Sequence, residues 1–144
     1  MNRVEQRLAI IRPHFITQEL VSKAVYEVLG EYALLLFDLR VLKTLATMRE
    51  FFNCPIHLNN WWWGGNIDGR GFRDLKENTG SQTSTHRDGR ALDPVVEGWL
   101  AKDVATKIQL HRDVFPHITR LETDKTWNHF DIKFTGAKEI ICFK

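Results

Sequence analysis

Two segments hold the side chains best suited to chemistry: Ser84-Thr85-His86-Arg87-Asp88-Gly89-Arg90-Ala91-Leu92-Asp93 and Trp127-Asn128-His129-Phe130-Asp131. Together they offer two imidazoles and a carboxylate, a ligand set that suits zinc and leaves one coordination position open. Structural zinc sites are closed by four protein ligands, whereas catalytic sites use three and keep the fourth for water or substrate. His86, Asp93 and His129 therefore predict an open metal centre of the catalytic kind.

The spacing of these residues constrains the local fold. On a helix His86 and Asp93 would lie roughly 10 Å apart along the axis, and on a strand roughly 23 Å apart. Ligands of one zinc ion must converge within a few ångströms, so the chain has to turn back between them. Gly89 is the residue best able to take the backbone angles required. His129 then arrives from a distant strand. Alternation over 127–134 sets Trp127, His129, Asp131 and Lys133 on one face and Asn128, Phe130, Ile132 and Phe134 on the other, the second face reading as core.

The elements that must position these groups follow from apolar spacing and breakers. Residues 1–16 read as an extended leader, its arginines Arg3, Arg7 and Arg12 serving solubility, with Thr17 as a helix cap. Residues 18–30 carry Val21, Val25 and Val28 at helical spacing. Asp38 caps a second helix with Val41, Leu45, Met48 and Phe52 on its apolar stripe, ended by Asn53 and Pro55. Residues 56–60 read as a short strand, and 61–85 as a long irregular stretch of the kind usually reserved for function. Its three consecutive tryptophans argue against a solvated coil; at least one ring is expected to pack the loop, and the others either pack or grip sugar or peptide. Asn59 and Asn60 read as loop pins. Residues 91–95 read as a strand, and 98–111 as a helix with Leu100, Val104 and Ile108 inward. Residues 118–122, 128–134 and 139–143 complete a set of strands. Helices first and strands later predict an α+β fold, with helices packed on a small antiparallel sheet.

Composition narrows the class. A chain of 144 residues, 43% hydrophobic and 26% charged, reads as one soluble domain spanning 1–144. Its net charge of +2 is far from the concentrated basic footprint of a nucleic-acid binder. No apolar run reaches membrane-spanning length. No signal peptide is evident, so synthesis in a cytoplasm and separate delivery to the site of action are expected. Cys54 and Cys142 have no metal-type spacing and read as free buried thiols. Gly64-Gly65 and Gly69-x-Gly71 do not form a phosphate loop, since no Gly-Lys-Ser/Thr follows.

Gly71-Phe72-Arg73, then Ser84-x-His86-x-x-Gly89-x-Ala91-x-Asp93 and Trp127-x-His129-x-Asp131, resembles the zinc D-alanyl-D-alanine carboxypeptidase family, which shares its fold with the hedgehog signalling domain and includes bacteriophage endolysins. The leader His14-Phe15-Ile16-Thr17-Gln18-Glu19-Leu20 is similar to the start of the phage subgroup, so the resemblance runs from about residue 13 to about residue 134. It implies His86, Asp93 and His129 as ligands of one zinc ion. It further implies Arg73, Ser84 and Trp127 as substrate-binding residues, with Arg73 meeting a substrate carboxylate through its planar fork. The implied partner is the peptidoglycan stem peptide, acted on by a monomeric cell-wall hydrolase. Many members carry a catalytic glutamate three residues before the last histidine ligand, and that position here is Thr126. Glu122 is the first substitute as general base, Asp124 the second and Asp131 the third. A non-catalytic zinc-binding module of the same fold is the alternative.

Overall fold

The computed structural model describes residues 1–74 and 84–144; of the long irregular stretch read over 61–85, the part from 75 to 83 lies outside the described residues. The first element is a helix, α1 (Arg3–Ile11), where the sequence pointed to an extended leader. Asn2 Oδ1 accepts the Glu5 amide at 2.9 Å while Glu5 Oε2 accepts the Asn2 amide at 2.8 Å. This reciprocal capping satisfies donors that a helix start otherwise leaves open. Arg7 is not a solubilising residue: it is buried and its guanidinium donates to the Phe37 and Arg3 carbonyls.

The helix read over 18–30 is two pieces. A 3-10 turn, Thr17–Glu19, precedes α2 (Lys23–Leu29), because Ser22 Oγ accepts the Val25 amide and starts a new helix there. Val21 and Val25 face the core, but Val28 is exposed. A second 3-10 segment, Gly30–Leu36, leads to α3 (Leu39–Phe52). Here the reading holds: Asp38 Oδ1 accepts the Arg40 amide, Asn53 ends the helix in the left-handed region at φ 51°, and Val41, Leu45, Met48 and Phe52 are buried.

Strands β1 (Ile56–His57) and β3 (Val95–Val96) form a two-stranded antiparallel pair. Between them in the chain lies β2 (Ala91–Leu92), which joins a four-stranded sheet with β4 (Arg120–Glu122), β5 (His129–Asp131) and β6 (Ile141–Phe143) in the order β2-β5-β4-β6. The sheet is mixed, not antiparallel throughout. β5 runs antiparallel to both β2 and β4, whereas β6 is parallel to β4. A chain leaving β5 at the end where β4 began, and settling on the far side of β4, has to run in the same direction as β4.

Helix α4 (Ala101–Leu110) buries Val104 and Ile108, but Leu100 sits at its N-cap, exposed. Phe130 in β5 and Ile132 just after it point into the core as expected. Phe134 does not: the strand ends at Asp131, the alternation lapses, and Phe134 is 88% exposed. The cysteines are free, with Cys54 half-buried and Cys142 exposed on β6, not buried as expected. One hydrophobic cluster joins helices and sheet through Phe37, Leu42, Leu45, Met48, Ile108 and Phe130. The architecture is α+β, with four α-helices and two small sheets among the described residues. No helix there is long and apolar enough to cross a membrane.

Candidate metal centre

His86 lies on a 3-10 turn, Thr85–Asp88, whose start is capped by Ser84 Oγ accepting the His86 amide at 3.3 Å. The turn back toward β2 is made at Gly89, φ 68°, as the spacing required. A Cβ there would come within 1.9 Å of the Leu36 carbonyl oxygen, so the fit depends on glycine twice over. The Gly89 carbonyl accepts the Asp38 amide at 3.0 Å, docking the turn on the start of α3. Asp93 follows β2 directly, and its amide donates to the Arg70 carbonyl at 2.8 Å. β2 and β5 pair Ala91 with Asp131 and Leu92 with Phe130. Extending that antiparallel register by one residue sets Asp93 beside His129, which is why two ligands so distant in sequence converge.

The three ligand atoms form a tight triangle. His86 Nε2 is 3.0 Å from Asp93 Oδ1 and 3.1 Å from His129 Nδ1, and His129 Nδ1 is 2.8 Å from Asp93 Oδ1. Tetrahedral zinc at ordinary bond lengths separates its ligand atoms by about 3.3 Å, so an opening of a few tenths of an ångström admits the ion. All three residues are buried, and they are the one such group of metal-binding side chains among the described residues.

The far sides of both rings are tied. His86 Nδ1–H donates to the Gly71 carbonyl at 2.8 Å, which fixes the proton on Nδ1 and leaves the Nε2 lone pair facing the centre. His129 Nε2–H donates to Asp131 Oδ2 at 3.0 Å, freeing Nδ1 for the same purpose. Such outer partners set the tautomer and ring orientation of a ligating histidine. Gly71 can bring its carbonyl there because it packs against the Leu20 carbonyl, where a Cβ would sit 1.8 Å from that oxygen. Asp131 is fully buried and bound by Arg120, with Nε at 2.9 and 3.0 Å from its two oxygens and Nη2 at 2.6 Å from Oδ2. Thr85 Oγ1 donates to it as well.

With no metal bound, protons hold this cluster together. Burial works to raise the Asp93 pKa, but the hydrogen bond from His129 and the proximity of both imidazoles overcome it and hold the carboxyl down at about 2. Burial likewise opposes ionisation of Asp131, and His129 and Arg120 overcome it, again to about 2. His129 lies between these two carboxylates; burial alone would lower its pKa, yet Asp131 and Asp93 raise it to about 9.

Several expected substrate and catalytic residues have structural contacts here. Arg73 Nη2 donates to Asp93 Oδ2 at 3.0 Å and its Nε to the Gly69 carbonyl at 2.7 Å, so its guanidinium braces a ligand. Ser84 caps the His86 turn. Trp127 is half-buried in the loop ahead of His129. Glu122 pairs directly with His129 across β4 and β5, so both side chains leave the same face of the sheet. It is mostly buried and lies 3.8 Å from Lys125 Nζ. Asp124 is exposed and lines a groove with Trp99, Leu100, Lys102 and Thr126. Asp131 is unsuited to be the base, since it is fully buried behind His129 and paired with Arg120.

The sequence reading missed Arg120 and Phe143, and it quoted Gly71 without its part in orienting His86. The Phe143 ring lies 5.7 Å from that of His129 and 4.6 Å from the Arg120 guanidinium carbon. Within the tryptophan run, Trp61 packs on Tyr26 and donates to the Val21 carbonyl, whereas Trp62 and Trp63 are exposed. Asn59 and Asn60 are pins as read: Asn59 joins the Val21 carbonyl to the Arg70 amide, and Asn60 Oδ1 accepts the Ile67 amide. Comparison with family models, curated proteins and solved structures yields no match to this chain.

Proposed function

We propose that this protein is a zinc-dependent peptidase that hydrolyses an amide bond in the stem peptide of peptidoglycan, with the fold of the D-alanyl-D-alanine carboxypeptidase and hedgehog family and a role as a phage endolysin or virion-associated lysin. The observation that carries the metal chemistry is the convergence of His86 Nε2, Asp93 Oδ1 and His129 Nδ1, each histidine with its opposite nitrogen engaged. Two imidazole nitrogens and one carboxylate oxygen are the donor set of a catalytic zinc site with one position left for substrate or water. The resemblance of the motifs around these residues supplies the substrate class. Localisation follows from the substrate: made in the host cytoplasm, the enzyme acts at the wall after delivery, without nucleic acid and without membrane insertion, as a monomer.

When bound, zinc polarises the scissile carbonyl and lowers the pKa of its water toward ~7. The chain's own residues supply the rest. Asp131 and the Gly71 carbonyl keep both imidazoles oriented and correctly protonated. Glu122, opposite His129, takes the water proton and passes it to the leaving amine. Asp124, in the loop between β4 and β5, is the second choice for that role. Ser84 and Trp127 contact the peptide. Arg73 reaches a substrate carboxylate with the part of its guanidinium not engaged by Asp93 and Gly69.

The test is mass spectrometry of purified peptidoglycan incubated with zinc-loaded protein beside a chelated control. A fragment seen only with zinc establishes the peptidase, and its mass identifies the bond. A second reading rests on Thr126 in the usual glutamate position and on the Glu122–Lys125 ion pair: a zinc-stabilised module that binds cell wall or a protein without cleaving. Absence of any fragment from several wall types selects that reading.

A further inference from the structure

Beside the segment that braces the metal ligands lies a second cavity, of about 150 Å³, lined by Glu19, His57, Asn60, Trp62, Trp63 and Arg70. Trp62 is 42% and Trp63 64% exposed, although rings of this size are normally covered. Trp62 is held in place, its indole N–H donating to the Asn59 carbonyl at 3.1 Å. Arg70 is fixed through its backbone, with its amide on Asn59 Oδ1 and its carbonyl on the Asp93 amide, while its guanidinium has no hydrogen bond or ion pair among the described residues. Glu19 Oε2 accepts the Ile16 amide, and its Oε1 has no hydrogen bond among the described residues. Asn60 Oδ1 accepts the Ile67 amide, and its side-chain nitrogen has no hydrogen bond among the described residues.

We propose that this cavity is a saccharide subsite that takes one pyranose ring. Three properties favour a sugar. The lining sets one guanidinium against one carboxylate, with the His57 imidazole near Glu19, a balance that suits a neutral ligand over a phosphate or a polycation. The same lining carries donors on Arg70 and Asn60 and an acceptor on Glu19 that have no partner among the described residues, and vicinal hydroxyls can satisfy both kinds at once. Two indoles supply broad faces for the C–H side of a ring, and the cavity is well below the ~300–1,000 Å³ of pockets for larger ligands. The site shares no ligand atom with the metal centre, so it does not depend on the peptidase reading.

The probe is the N-acetylglucosamine trimer, titrated into the full-length, chelated protein with indole fluorescence as the readout. Wild type is expected to show a saturable change. Trp63→Ala and Arg70→Gln each weaken binding about tenfold or more, with circular dichroism melting unchanged. No saturable change, or undiminished binding in both variants, overturns the proposal. So does saturable binding of a sugar-free stem tetrapeptide that Arg70→Gln abolishes, because it assigns the cavity to a peptide carboxylate.

Discussion

At the scale of single residues, His129 and Asp131 divide the work of the centre. His129 presents one nitrogen to the metal position and spends the other on Asp131, which Arg120 holds in turn. Asp131→Asn keeps the size of the side chain but weakens the Arg120 pairing and the pull on the His129 proton. Zinc affinity, read by competition with a chromogenic chelator, is expected to fall by about 10- to 100-fold. On the proposed peptidase reading, Glu122→Gln separates binding from chemistry. It is expected to leave zinc affinity within about twofold of wild type and to remove turnover by about 100-fold or more. Turnover surviving in Glu122→Gln and lost in Asp124→Asn would move the base to the loop. The candidate ligands were legible, because His86 and Asp93 flank a glycine turn and His129 takes the outward position of a strand pattern. Their orienting partners were not: Asp131 and Arg120 gain their roles only once β5 is paired with β4, which no local spacing expresses.

At the scale of elements, the turn between His86 and β2 shows how narrowly the site is built. Gly89 and Gly98 both have positive φ, 68° and 80°. Only Gly89 also faces a backbone oxygen at contact distance; nothing lies within 4 Å of a Cβ at Gly98. Gly98→Ala is therefore expected to cost about 1 kcal/mol, the strain of a left-handed alanine. Gly89→Ala adds a clash that must shift the 3-10 turn away from α3, for about 3 kcal/mol or more. Urea unfolding of the two variants checks the difference, and equal losses would mean that the close approach to Leu36 relaxes freely. Helix α3 was legible in full because cap, stripe and stop agree along its length. The first helix was overlooked although Asn2 and Glu5 stand at capping-box spacing, since Pro13 drew the reading toward an extended leader. The parallel pairing of β6 with β4 was out of reach for a simpler reason: strand order is decided by where the chain can return, and three similar strands allow several orders.

At the scale of the whole molecule, the buried cluster links stability to both protons and metal, with opposite signs. In the metal-free protein Asp93 and Asp131 have folded pKa values held down at about 2, so their contribution is present above the ordinary carboxyl value of ~3.9 and is lost as pH falls through about 2. His129 is raised to about 9; its contribution is complete below ~6.5 and is lost as pH rises through about 9. The metal-free protein is thus expected to be most stable between about pH 4 and 6.5 and to lose melting temperature steadily toward pH 9. Zinc cancels that slope on the alkaline side, because His129 is then unprotonated in the folded and the unfolded state alike. To coordinate, His129 must give up the Nδ1 proton that Asp93 holds in the free protein, so zinc competes with a proton below pH 9 and binds more tightly as pH rises. The gap in melting temperature between zinc-loaded and chelated samples should therefore widen from pH 6 to pH 9, at fixed free zinc. Parallel melting curves across that range would mean that His129 does not exchange a proton for the metal, and the ligand triangle would then be a hydrogen-bonded core cluster.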